Sequence, residues 1–388
     1  MKIFHISDLH IGKRLNLFDL LEVQKNVLNQ IIKAARTEQP DVIIIAGDIY
    51  DKSSPSGEAI RLLSEFFSEL ADIEPQISIL IISGNHDSNL RLNYAASFLA
   101  KHSIHICAAL PQNKEQYIKK MTFSDRYGDI YFYMMPFVKP EDAKNLLGKE
   151  ANIHTYDEAF AAILDREAID YSKRNVLIAH QFFVSKDSEP DKRDSELRYI
   201  CVGGIDSVDT SHVEQFDYVA LGHLHTSQHI GKTYIRYSGT PLKYSVSEAK
   251  DSKSITVVTL KEKNSEPEIT FIPLYMNPDL KKLKGTLNEV IAMADEQLKE
   301  DYVSIVLTDE DSLFRPKDRL GDFYNRIVDV TIENTRTKKL GYSDIDEKFN
   351  EEDNPIDIFC EFYQEMNGQP ISQDEKKIMT DILKEFNF

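Results

Sequence analysis

Apolar residues along this chain gather in short continuous runs that stop abruptly at polar clusters. The runs are IFHIS before Asp8, VIIIAG before Asp48, ISILIISG before Asn85, NVLIA before His180 and YVALG before His223. Continuous rather than alternating apolarity predicts strands buried on both faces. Helical spacing lies between the early runs. Leu20 to Arg36 places Leu21, Val27, Leu28, Ile31 and Ile32 on one face, and Glu58 to Leu70 does the same with Ile60, Leu62, Leu63, Phe66 and Phe67. Strand, helix and strand in succession is the grammar of an α/β fold. From Tyr234 onwards the strands alternate more, as in ITVVTL and EITFIPL. They are expected to form a second sheet stacked on the first.

The style changes after Met276-Asn277-Pro278. A helix around Asn288 to Leu298 precedes the strand YVSIVL, and a helix around Pro316 to Tyr324 precedes the strand IVDVTI. This predicts a small α/β domain over residues 278–335, following a main domain at 1–277. A polar stretch at 336–354 reads as a linker, and 355–388 as a helix pair. In the pair, Pro355 suits a first helical position after Asn354. Ile356, Phe359, Phe362, Tyr363 and Met366 then share a face, and Gly368 stops the helix. Ser372 to Glu375 is a capping box for a second helix carrying Ile378, Met379, Ile382, Leu383 and Phe386.

The net charge of −18 disfavours nucleic acid as a partner when taken as an average. The charge is uneven, however: Ser343 to Phe388 holds 13 acidic and 4 basic residues, half of the total excess. The average therefore says little about the surface near any active site. Cys107, Cys201 and Cys360 form no CxxC pair, which argues against a disulfide framework and a structural zinc site. The apolar runs are too short to span a bilayer. His5 and Asp8 interrupt the N-terminal stretch, so it does not read as a signal peptide. The expected location is cytoplasmic.

The five polar clusters carry the chemistry: Asp8-Leu9-His10, Gly47-Asp48 with Asp51, Gly84-Asn85-His86-Asp87, Ala179-His180, and Gly222-His223-Leu224-His225. Carboxylate, imidazole and amide oxygen are ligands for divalent first-row metals. Without thiolates they fit a structural zinc site poorly. Each cluster alone has a plain structural reading: a core histidine, or Asp48 and Asp51 capping the helix near Glu58. Five at five strand ends do not. So many ligands call for two metals, and a carboxylate bridging cations roughly 3.5–4 Å apart can clamp a phosphate and activate water.

The series DLH, GDIYD, GNHD, AHQ and GHLH resembles the signature of the calcineurin-like metallophosphoesterase superfamily. The stretches ISGNHDSNLRLNYA, YSGTPLKYSVSEAKDSKSI and FCEFYQEMNGQPIS extend the likeness, over essentially the whole chain, to the SbcD family of bacterial nuclease subunits. The resemblance implies a metallophosphoesterase sandwich of two sheets flanked by helices, with the small α/β domain capping it and binding DNA. It implies one metal held by Asp8, His10, Asp48 and His225, and a second by Asp48, Asn85, His180 and His223, with Asp48 as the bridge. His86 would act on the phosphate or leaving group, its imidazole held by Asp51. The implied cofactor is two Mn2+, with Mg2+, Fe2+ or Zn2+ as alternatives. The implied activity is a 3′ to 5′ duplex exonuclease and a hairpin and single-strand endonuclease, serving DNA repair, recombination and replication. The implied partners are DNA, a second copy of the chain within a heterotetramer, and an SbcC-type ATPase docked on the C-terminal helix pair.

Rival readings are another dinuclear metallophosphoesterase, such as a nucleotidase, a cyclic-nucleotide phosphodiesterase or a protein phosphatase, and a DNA-end scaffold without catalysis. Protein phosphatases carry DRG and GNHE where this chain has Asp51-Lys52-Ser53 and Gly84-Asn85-His86-Asp87. Gly231-Lys232-Thr233 lacks the earlier glycine of a P-loop, since Thr226 stands there. Lys186, Lys192, Arg193 and Arg198 are interleaved with acids, so their loop reads as solvated rather than as a phosphate track. The stretch Arg91 to Lys101 reads as a helix with a candidate contact face.

Overall fold

The hydrophobic run before Asp8 forms strand β1 (Lys2–Ile6), and the chain then alternates helix and strand. Helix α1 (Leu21–Glu38) leads to β2 (Val42–Ala46), and α2 (Gly57–Ala71) leads to β3 (Ser78–Ile82) and β4 (Ile104–Cys107). β1 to β4 pair in parallel, as crossover helices require. This computed structural model describes residues 1–148, 150–186, 190–193, 207–311, 313–335, 356, 359–360, 363–364 and 370–385. Its two compact units are Met1–Leu280 and Lys281–Phe388.

The first unit holds two six-stranded sheets. The second sheet is built from β5 (Lys119–Asp125), β6 (Gly128–Met135), β7 (Arg174–His180), β8 (Tyr218–Gly222), β9 (Gln228–Ile230) and β10 (Lys232–Tyr237), in the order β9-β10-β8-β7-β6-β5. One continuous core joins the facing sides of the sheets, with Ile44 and Leu80 from one meeting Phe132, Ile178 and Ala220 from the other. The opposite face of the second sheet buries Leu177, Ala179 and Leu221 with Leu146, Phe160 and Ile163 from helices α3 (Pro140–Leu147) and α4 (Tyr156–Leu164). Pro140 opens α3, and a capping box between Thr155 and Glu158 opens α4. Burial on both faces explains why β2 and β7 read as unbroken apolar runs.

The expected division of strands between sheets needs correction. ITVVTL lies in β11 (Lys253–Thr259), which pairs antiparallel with β1, and EITFIPL lies in β12 (Glu268–Leu274), which pairs with β11. Both extend the first sheet, while NVLIA and YVALG belong to the second. β12 is an edge strand with much of its length exposed, so its alternation comes from edge position and not from a separate layer.

In the second unit, β13 (Leu280–Gly285), β14 (Tyr302–Leu307) and β15 (Arg326–Ile332) form a three-stranded sheet over Val290, Val303, Ile305, Leu320 and Tyr324. β13 is a strand that the sequence pattern does not announce. The helix expected over Asn288 to Leu298 is two: α5 (Leu287–Ala292) and α6 (Glu296–Glu300). The Asp295 carboxylate accepts from the amides of Gln297 (2.9 Å) and Leu298 (2.7 Å) and starts a new helix there. The helix from Pro316, α7, stops at Leu320 rather than Tyr324. The expected linker at 336–354 lies outside the described residues, as does most of the first tail helix. The second tail helix is present as α8 (Gln373–Glu385), its capping box closed by Ser372 and Glu375.

Arg174 is the chief buried ion-pair partner in the second sheet. Its guanidinium donates to both oxygens of Asp125, at 2.6 and 3.1 Å, and to the carbonyls of Gly128 and Lys261. Partial burial disfavours ionised Asp125, but the Arg174 bonds outweigh it and hold the carboxyl well below the usual range. A carboxylate with a depressed folded-state pKa stabilises the fold above its unfolded value, and that contribution disappears as pH falls through the folded one. Asp125→Asn should therefore cost about 2–3 kcal/mol at pH 7, and the gap to wild type should narrow below about pH 4. Urea melts at pH 7 and pH 3 check this; a gap that stays constant would refute it.

Candidate metal centre

The strands end where they do because the next residues turn in the left-handed region. Asp8 (φ 52°), His10 (φ 41°), Asp48 (φ 50°) and His223 (φ 98°) all adopt positive φ. Such residues cost of order 1–3 kcal/mol each and persist only where packing over-determines them. Here the loops after β1 and β2 hold each other: the amides of Asp8, His10 and Ile11 donate to the carbonyls of Gly47, Asp48 and Ile49, each at 3.0 Å. The buried Asp87 carboxylate staples the loop after β3 to the same place. It accepts from the amides of Ile49 (3.1 Å), Tyr50 (3.0 Å) and Gly84 (2.9 Å). Gly84 is required by close approach, since a Cβ there would collide with the Asp48 carboxylate.

All seven residues predicted as metal ligands come together where these loops meet the ends of β7 and β8. Asp48 Oδ2 lies 3.4 Å from His180 Nε2 and 3.7 Å from His10 Nε2. Asn85 Oδ1 lies 3.1 Å from both His180 Nε2 and His223 Nδ1. The His223 amide donates to Asp8 at 3.1 Å. His180 Nδ1 donates to the Ala46 carbonyl at 2.7 Å, so Nε2 is the ring nitrogen that faces the cluster. Three overlapping groups have ligand atoms close enough to share an ion: Asp8, His10 and His225; His10, Asp48 and His86; and Asp8, Asp48 and His180.

The donor set fits divalent cations on an observation of its own. His10 is 2% exposed, yet neither ring nitrogen has a hydrogen-bond partner. A buried imidazole is seldom left so unless something else takes its lone pair. The charges also call for a cation. Burial opposes ionisation of Asp48, but the attraction of His180 and His10 holds its pKa well below the usual range. Burial likewise opposes charge on His180, but Asp48 and Asp8 raise it to about 9. Burial lowers His223 to about 3 and raises Asp8 to about 6. The proton on His180 thus balances Asp48, and a divalent ion would displace it.

His86 stands beside this group, with Nε2 3.9 Å from Asp48 Oδ2 and its amide bonded to Asp48 Oδ1 at 2.9 Å. Its Nδ1 donates to the main-chain carbonyl of Asp51 at 2.8 Å. The expected contact with the Asp51 carboxylate is corrected accordingly: the main-chain carbonyl of Asp51 takes that bond, and its carboxylate pairs with the Lys13 ammonium at 2.7 Å. A carbonyl can only accept, so it sets the same tautomer the carboxylate was expected to set. Of the basic loop, Lys192 lies over the Phe182 ring and Arg193 pairs with Asp251, while Arg198 lies outside the described residues.

Sequence reasoning missed the supports. Asp87 belongs to the GNHD cluster, but spacing alone assigns it no role. Gln24, buried on α1, donates to the carbonyls of Leu9 (3.3 Å) and His10 (2.8 Å), although its place in the pattern is that of an ordinary helix residue. Glu248 and Lys253, behind His225, fall inside the YSGTPLKYSVSEAKDSKSI stretch. No signal singled them out, because Lys243, Lys250 and Asp251 in the same stretch are charged as well.

A family model described as calcineurin-like phosphoesterase matches residues 1–227, and one described as type 5 capsule protein repressor C-terminal domain matches residues 278–367. A protein of Staphylococcus epidermidis, named as the SbcD component of the nuclease SbcCD, is 34% identical over 379 residues, covering 96% of this chain and 95% of that protein. One of the same name from Staphylococcus saprophyticus is 32% identical, covering 99% of each. Among the described residues no helix is long and apolar enough to cross a membrane. With its sandwich of two sheets and its cluster of carboxylates and imidazoles, this metal-dependent phosphodiester hydrolase belongs to the SbcD family of nuclease subunits within the calcineurin-like phosphoesterases.

Proposed function

We propose that the chain is the nuclease subunit of a cytoplasmic DNA-processing complex, using two Mn2+ to cut duplex ends 3′ to 5′ and to open hairpins during repair, recombination and replication. The observation that carries this reading is the gathering of all seven residues in one cluster: His10 and His180 around Asp48 Oδ2, His180 and His223 around Asn85 Oδ1, and His225 with Asp8 and His10. Asp8, His10, Asp48 and His225 would hold one cation, and Asp48, Asn85, His180 and His223 the other. Two divalent cations supply a water acidic enough to ionise near neutral pH and neutralise charge on the phosphate. The protein's own part is to hold those cations on a shared carboxylate and to present His86. His86 Nδ1 is committed to the Asp51 carbonyl, so Nε2 is the atom that meets substrate. It donates to a phosphate oxygen or to the leaving oxygen.

The partners follow from apolar surface. Arg91 to Lys101 is not one helix but two short ones, Asn89–Asn93 and Ala96–Leu99, and Leu90, Tyr94 and Phe98 stand exposed on this stretch. That patch suits a second copy of the chain. On α8, Ile378 (61%) and Ile382 (42%) are exposed on a helix whose other residues, Met379 and Leu383 aside, are charged or polar. This face suits helices of an SbcC-type ATPase, which is the partner implied by the relatives' name.

Four experiments test the reading. Asp48→Asn should lower metal occupancy and abolish hydrolysis in a folded protein; normal turnover by that variant would sink the dinuclear scheme. His86→Ala should retain both metals while the rate falls by roughly 10²–10⁴-fold; loss of metal would make His86 a ligand instead. Ile378→Asp with Ile382→Asp should leave Mn2+-dependent cleavage of small phosphodiesters intact and abolish co-purification with the ATPase. Undiminished co-purification would remove α8 from the docking surface. Assaying duplex DNA, hairpin DNA, AMP and cyclic AMP side by side separates a nuclease from a nucleotidase or cyclic-nucleotide phosphodiesterase.

A further inference from the structure

Behind His225 lies a buried ion pair that the proposed chemistry does not use. Glu248 is 0% exposed and Lys253 7%, and Lys253 Nζ donates to Glu248 Oε2 at 2.6 Å. The remaining donors of Lys253 go to the main-chain carbonyl of His225 (3.0 Å) and to Thr240 Oγ1 (2.8 Å). Glu248 Oε2 also meets Thr240 Oγ1 (3.2 Å), and Oε1 accepts from Ser245 Oγ at 3.0 Å. Oε1 lies 3.2 Å from His225 Nδ1. Groups on three sides of Glu248 are therefore donors, and one of them is a cation. Taking two charges out of water is costly, and a well-packed apolar pair in their place is often neutral or stabilising. The pair also has a direction: both members bond to His225, one to its ring and one to its carbonyl.

The other two histidines at the strand ends are held differently. His180 Nδ1 donates to a neutral main-chain carbonyl, that of Ala46. His223 turns Nδ1 towards Asn85 Oδ1, into the cluster. Among these three, His225 is the one backed by a carboxylate. An ionised carboxylate can only accept, so the ring proton of His225 must sit on Nδ1, which makes Nε2 the nitrogen for a cation shared with Asp8 and His10. A carboxylate behind an imidazole also raises its basicity as a ligand.

We propose that Glu248, locked by Lys253, is a positioning residue that presets the His225 tautomer and makes the Asp8/His10/His225 position the tighter of the two cation sites. The inference rests on the dinuclear reading above and adds to it an inequality between the two positions. Asp8 and His10 hold that position from the first sheet, and Glu248 holds His225 from the loop before β11.

The test uses full-length metal-free protein. Mn2+ titration, followed by the loss of the free-ion paramagnetic signal, should show two unequal sites in wild type. In Glu248→Gln the tighter should weaken by about 10- to 100-fold and the other should stay within a few-fold. Long-range ¹⁵N–¹H spectra of histidine-labelled metal-free protein should show His225 protonated at Nδ1 in wild type and mixed in the variant. Wild-type His225 protonated at Nε2 overturns the proposal, and does so whether or not the variant folds. A folded Glu248→Gln protein with a lower melting temperature but both affinities unchanged also overturns it, by reducing the pair to a structural staple. Wild type that binds no Mn2+ overturns the dinuclear reading first and this inference with it.

Discussion

The hydrogen bond from His180 Nδ1 to the carbonyl of Ala46, 2.7 Å long, crosses from the second sheet to the first. It can form only if β7 and β2 end at the same level with their chains close together. Gly222, at the end of β8, meets that condition from the other side, because a Cβ there would collide with the Ala46 carbonyl. The inter-sheet core of Ile44, Leu80, Phe132, Ile178 and Ala220 sets the spacing that both contacts need. The two halves of the metal centre come from different sheets: Asp8, His10, Asp48 and Asn85 from one, and His180, His223 and His225 from the other. Sheet packing is therefore a condition of the chemistry here, beyond its contribution to stability.

The left-handed turns at Asp8, His10, Asp48 and His223 follow from the same constraint. A strand that continued past Asp8 would send successive side chains to opposite faces and put Asp8 and His10 a full repeat apart. Turning sharply brings both to one point. The strain is carried by the β1 and β2 loops bonding to each other, by Asp87 stapling the loop after β3, and by Gln24 capping two carbonyls from α1. Each of these supports is buried. A rigid, water-poor rim is what lets ligands wait for cations without collapsing onto one another.

How much of this was legible in the sequence depended on what each residue does for itself. The strand ends were legible because a strand buried on both faces must be apolar throughout, so Asp8, Asp48, Asn85, His180 and His223 mark their own positions. The assignment of strands to sheets was not. An alternating pattern records whether one face meets water, and β12 alternates as an edge of the first sheet. The break between α5 and α6 turned on one side chain, Asp295, whose preference for capping outweighs the helical periodicity around it. The Asp51 carboxylate went astray because spacing cannot foresee that Lys13, arriving from another loop, would pair with it. Glu248 and Lys253 were invisible for a related reason. In isolation each is an ordinary surface type, and only the fold reveals that both are buried against His225.

Buried charge also separates the two regions where this chain would meet other molecules. Around Asp48 the polar groups are enclosed and mutually satisfied, apart from the free nitrogens of His10, so affinity there is for a small cation of high charge. On α8 the arrangement is reversed: charge faces water and isoleucines stand exposed. Half of the chain's excess acid lies between Ser343 and Phe388, away in sequence from the residues that would meet phosphate. Coulomb interactions between exposed charges are largely screened beyond about 10 Å at moderate salt. The overall charge of −18 therefore does not set the field at the metal centre, where two carboxylates meet imidazoles out of water. A strongly acidic chain and a polyanionic substrate are compatible because the acid that matters locally is the acid that would hold the cations.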